Sequence, residues 1–171
     1  MGVIGLSGDT EHPHLHFELR HDGEIIDPFR PDDLTGCGDL PARTLWQAPL
    51  PPPANGLLQA GFALEVPDWA AVKAGLAPRP VLPAKAPALV LWAYGWGARP
   101  GDRVQIEITG PDGFRLDQSS RFEAPKVLFM RAAGKRAPQT GWVQGAYLGR
   151  VRLWRGETLL DQHDLQLRVE N

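Results

Sequence analysis

From residue 88 onward, apolar and polar residues alternate with a period of two, most clearly in Arg103-Val104-Gln105-Ile106-Glu107-Ile108-Thr109. Successive side chains of a β-strand point to opposite faces, so the pattern predicts strands with one face buried and the other in water. The runs 88–94, 103–109, 114–118, 126–132, 145–155 and 159–169 are apolar or alternating and read as strands. Gly110-Pro111-Asp112-Gly113 and Arg155-Gly156-Glu157 supply tight turns between them. Regular short strands broken by turns predict an immunoglobulin-like β-sandwich over residues 87–171. The chain as a whole is expected to be mainly β.

Upstream, prolines interrupt the pattern. Pro41, Pro49, Pro51, Pro52 and Pro53 favour extended polyproline conformation, and a second proline-rich stretch spans 78–87. Residues 40–86 therefore read as a proline-rich linker, containing an apolar strand-like run at 57–66 and one short helix. Asp68 is the expected N-cap of that helix and Gly75 its stop.

Residues 1–39 hold the chemistry. In His12-Pro13-His14-Leu15-His16-Phe17-Glu18-Leu19-Arg20, His14 and His16 are two apart. On a strand their imidazoles share one face, while Leu15 and Phe17 face the other side and are expected to pack into a core. Asp22-Gly23 predicts the turn of a hairpin. Neutral imidazole is a common zinc ligand, and a neighbouring titratable group suits attack by a metal-activated water.

Gly2-Val3-Ile4-Gly5-Leu6-Ser7-Gly8, then His14-Leu15-His16-Phe17-Glu18, then Asp22-Gly23-Glu24-Ile25-Ile26-Asp27-Pro28 together resemble the end of the catalytic domain of lysostaphin-type zinc endopeptidases, the murein-cutting metallopeptidases. The resemblance covers about the first thirty residues. It implies a partial peptidase β-sheet, with His16 as a zinc ligand and His14 as catalytic base or the group that orients the attacking water. It further implies hydrolysis of peptidoglycan peptide cross-links in the periplasm or cell envelope. The family's two other ligands lie in an upstream His-x-x-x-Asp arrangement, which does not occur in these 171 residues. Alone, the chain is thus expected to hold zinc weakly and to lack activity, because a catalytic zinc takes three protein ligands.

Other residues leave alternatives open. His12 shares the parity of His14 and His16, but Pro13 places it in the preceding loop rather than on the strand. Glu18 lies on the histidine face, either orienting an imidazole through a hydrogen bond or solvated. His21 and His163 read as solvated surface residues. Cys37 is the single cysteine; it would pair with a cysteine of the upstream half-domain or remain a free thiol.

Composition narrows the classes of function. The net charge is −2, and no basic run or aromatic-basic stripe suggests nucleic acid. No apolar stretch approaches the roughly 20 residues that span a bilayer, and the first residues carry no signal-peptide pattern. Trp92, Trp142 and Trp154 read as core residues, whereas Trp96, in Tyr94-Gly95-Trp96-Gly97, could stack on a sugar ring. Two classes follow: a truncated lysostaphin-type zinc endopeptidase with a β-sandwich appendage, or a catalytically inactive β-rich binding or regulatory module of a cell-envelope protein.

Overall fold

The computed structural model describes residues 14–32, 43–48, 54–76 and 78–171. The chain forms two compact units, Met1–Pro53 and Ala54–Asn171.

In the first unit, β1 (Leu19–His21) and β2 (Glu24–Ile26) form an antiparallel hairpin, pairing Leu19 with Ile26 and His21 with Glu24. The turn forms where expected because Asp22 (φ 51°) and Gly23 (φ 87°) both take left-handed conformation, the backbone of a two-residue hairpin turn. The strand expected to begin at His14 starts only at Leu19, and residues 14–18 adopt no regular structure. Leu15 and Phe17, expected in a core, are 78% and 65% exposed. Among the described residues, the two three-residue strands have no second layer to bury an apolar face.

The second unit is an immunoglobulin-like β-sandwich. Its strands are β3 (Gly56–Ala63), β4 (Val81–Pro83), β5 (Ala88–Ala98), β6 (Arg103–Thr109), β7 (Arg115–Arg121), β8 (Lys126–Arg136), β9 (Gly145–Arg155) and β10 (Thr158–Glu170). They form one sheet ordered β3-β5-β8 and another ordered β4-β10-β9-β6-β7. The links β5 to β6, β7 to β8 and β8 to β9 each cross from one sheet to the other. The linker expectation for 40–86 is corrected: the sandwich begins at Ala54, because β3 pairs with β5 and β4 runs parallel to β10. Proline at 83 is tolerated because β4 is an edge strand.

Alternation determines the core. Val104, Ile106 and Ile108 of β6 and Val151 and Leu153 of β9 face Phe62 of β3, Leu89 and Leu91 of β5, and Phe129 of β8, all buried in one cluster. Each such aliphatic or aromatic side chain contributes about 1.5–3 kcal/mol through burial. Gly149 lies in the middle of β9 because a Cβ there would sit 2.6 Å from the Phe62 ring.

A second cluster lies on the outer face of the three-stranded sheet. Val72, from α1 (Trp69–Lys73), buries Trp92 and Tyr94 there. The helix starts and stops as expected: Asp68 accepts hydrogen bonds from the amides of Ala70 and Ala71, at 2.8 and 3.1 Å, and Gly75 takes φ 89°. Trp92 is thus buried, but beneath the helix rather than between the sheets.

Candidate functional site

The histidine segment runs directly into the hairpin that follows it. Glu18 accepts a 2.6 Å bond from Arg20 Nε, and Arg20 Nη1 donates to the Gly23 carbonyl at 3.0 Å, so this carboxylate is engaged with arginine. His14 and His16 are both exposed. Downstream, the Asp27 carboxylate accepts from the Phe29 amide at 2.8 Å and its carbonyl from the Arg30 amide at 3.0 Å, closing a turn at Asp27-Pro28. Phe29 and Trp46 pack with ring centroids 5.4 Å apart, and Arg43 grips both oxygens of Asp32. His12 and Cys37 lie outside the described residues, as does the glycine-rich run Gly2 to Gly8.

Among the described residues, no three or more His, Cys, Asp or Glu side chains come together as a metal-binding group. The donor set in view, two histidines and a carboxylate bound to arginine, does not complete a zinc site, which requires three protein ligands and an open position. His21 is exposed as expected, with Nδ1 3.5 Å from Asp22; His163 is half-buried on β10.

The tryptophans of the sandwich divide by face. Trp142 is buried, donates to the Ala86 carbonyl at 2.9 Å, and meets Phe114 and Tyr147 edge to face. Burial pushes the Tyr147 hydroxyl pKa up, as it does for Tyr94. Trp154 departs from the core expectation: it is half-buried on the outer face of the larger sheet, with the Arg103 guanidinium 5.4 Å above its ring. Trp96 is half-buried at the far end of the outward row Trp92, Tyr94, Trp96 on β5.

The outer face of the larger sheet carries an ion-pair lattice that no motif announced. Arg152 reaches Glu107 at 2.8 Å, Arg150 pairs with Asp164, and Arg115 lies 3.6 Å from Glu107. Arg150 holds the Asp164 carboxyl below the usual carboxylate range. These residues line an open cleft of about 530 Å³. Elsewhere, Asp102 is a buried charge, 1% exposed, gripped at 2.8 Å by two nitrogens of Arg155, which hold its carboxyl low. Each arginine in these groups has a carboxylate partner, so these arrangements brace neighbouring strands.

Arg131 differs. It is half-buried on β8 with its guanidinium 4.3 Å from the centre of the Phe122 ring; its one hydrogen bond goes to the Met130 carbonyl at 2.9 Å. Burial pushes its pKa down. The sequence signal for this place was the break in alternation after Leu116, where Gln118 and Ser120 occupy positions of core parity.

No protein-family model and no curated protein matches the sequence. Among solved structures, the chain is similar to the C-terminal domain of Wzt, at 12% identity and a TM-score of 0.46, over 69% of this chain and 74% of that domain. It is also similar to a CARDB domain from Pyrococcus furiosus, solved in complex with di-metal ions, at 13% identity and a TM-score of 0.36, over 54% of this chain and 81% of the other. Among the described residues, no helix is long and apolar enough to cross a membrane.

Proposed function

We propose that residues 1–39 are the closing segment of a lysostaphin-type zinc endopeptidase domain that cuts peptidoglycan peptides in the cell envelope, followed by a β-sandwich appendage. The supporting observation is the hairpin: the Asp22-Gly23 turn forms directly after the His14 to Glu18 segment and runs into a closed turn at Asp27-Pro28. On this reading His16 is a zinc ligand, His14 is the base of the family's reaction, and the other two ligands come from sequence outside these 171 residues. The exposed Leu15 and Phe17 fit a strand whose neighbours belong to that further part. The protein extended upstream to an in-frame His-x-x-x-Asp segment is expected to release soluble peptides from isolated sacculi, with His14→Ala and His16→Ala each abolishing release. Undiminished release by His16→Ala would end the reading. The 171-residue chain, dialysed and analysed for metal, is expected to retain less than one zinc; a full tightly held equivalent would point to substitute ligands such as His12 or Asp9.

A second reading, a non-catalytic binding module, draws support from the sandwich having its own compact core. Retention of the chain on insoluble peptidoglycan, reduced by Trp96→Ala, is its expected signature. Absence of retention would count against it and against a sugar contact at Trp96.

A further inference from the structure

The seam where β7 and β8 meet brings polar side chains to positions of core parity. β7 ends the five-stranded sheet and β8 ends the three-stranded one, so each presents an edge. Between them opens a cleft of about 440 Å³, lined by Gln118, Ser120, Arg131 and Ala133 among others. Register places the polar groups on the inner faces of the sheets. Gln118 pairs with Ile106, Ser120 with Val104, and Arg131 with Ala93, and those three partners are buried in the core. Core positions are ordinarily apolar, and a cation placed there ordinarily has a carboxylate. Arg152 and Arg155, also half-buried, each have one; Arg131 has none within ion-pair distance among the described residues. The guanidinium carbon lies 4.3 Å from the centre of the Phe122 ring, Nη1 donates to the Met130 carbonyl, and a guanidinium has further N–H groups that can fork onto an oxyanion.

The geometry points to capture of the C-terminal carboxylate of an extended peptide in this seam, with Arg131 as the fork, Ser120 and Gln118 as neutral partners, and the edges of β7 and β8 as main-chain partners. A carboxylate suits the site better than a phosphate, because one guanidinium matches one negative charge. An extended chain suits it because unpaired strand edges accept an added strand, which is how backbone hydrogen bonds and terminal carboxylate capture combine in peptide recognition. The inference is independent of the peptidase reading, since it uses no residue before Ala54.

The test is titration of the full chain with N-acetyl-alanyl-alanine, its C-terminal amide, and inorganic phosphate, followed by calorimetry and by amide NMR shifts. The free acid is expected to bind saturably, at least tenfold more tightly than the amide or phosphate, with shifts concentrated on β7 and β8. Arg131→Met, which keeps an apolar stem against Phe122, is expected to lose that binding tenfold or more. Ser120→Ala, at a half-buried position that a smaller side chain fills without strain, is expected to lose two- to fivefold. Equal binding of acid and amide, no binding of either, shifts elsewhere, or unchanged binding by Arg131→Met would each overturn the proposal. Inward charges on edge strands also guard against strand association. If that is the whole role, Arg131→Met increases self-association while the wild-type chain binds no peptide.

Discussion

The hairpin segment and the sandwich invert the usual relation between motif and structure. Residues 14–32 carry dense chemistry, three histidines and two carboxylates within nine positions, yet they form only six residues of strand and leave Leu15 and Phe17 in water. Residues 54–171 carry no catalytic motif, yet they form eight strands and two apolar clusters. The comparison teaches that a motif is a statement about side chains, whereas a stable strand is a statement about what covers it. A strand gains most of its stability from a second layer, and a two-stranded hairpin provides none.

Mutations can break or sharpen that contrast. The largest effect is expected at Trp92, wholly buried beneath α1. Trp92→Ala should cost about 3–5 kcal/mol in a urea titration followed by fluorescence, the usual cost of an aromatic cavity. A change below about 1 kcal/mol would mean that the helix is not a true second layer. Next comes Asp102, whose loss leaves Arg155 unpaired at the join of the β5–β6 turn and the β9–β10 hairpin. Asp102→Asn should cost about 3 kcal/mol, the low end for a broken buried pair, because the arginine keeps some contact with water. Its pH dependence has a definite sign. The folded carboxyl sits below its ordinary value, so its contribution is complete above a pH of about 4 and is lost as acid protonates it below that range. Thermal melts of Asp102→Asn should therefore fall less steeply with acid than those of the parent.

Smaller effects follow. Asp68→Ala removes the cap of α1 and should cost about 1 kcal/mol, seen as a shift of the urea midpoint. At the other extreme, Phe17→Ser should change stability by less than about 0.5 kcal/mol, since the side chain already lies in water. Hydrogen exchange compares the two regions in one measurement. Amides of residues 14–30 are expected to exchange within seconds while those of β5, β6 and β9 stay protected, and equal protection would erase the contrast.

Much of the sandwich was legible residue by residue. The boundaries of β6 and β9 and the caps at Asp68 and Gly75 came directly from alternation and turn chemistry. The segment 54–86 was less so, because prolines signalled a linker while β3 and β4 found partners 27 to 40 and 87 residues away in sequence. Trp154 illustrates the same difficulty, since a tryptophan in a strand reads as core until its face is known. Arg131 was silent: an arginine in an apolar run carries no motif, and only the register of β8 against β5 shows that it points inward.

By itself, the sequence determined the period of each strand, the turns, the helix caps and the histidine pair, because these depend on neighbours within a few residues. Only the tertiary structure decided which faces are covered. It placed Trp92 under a helix, left Leu15 and Phe17 in water, matched Asp102 to Arg155, and turned Arg131 inward at the β7–β8 seam. Burial and charge pairing join residues far apart in the chain, and a local pattern cannot specify which distant group will arrive.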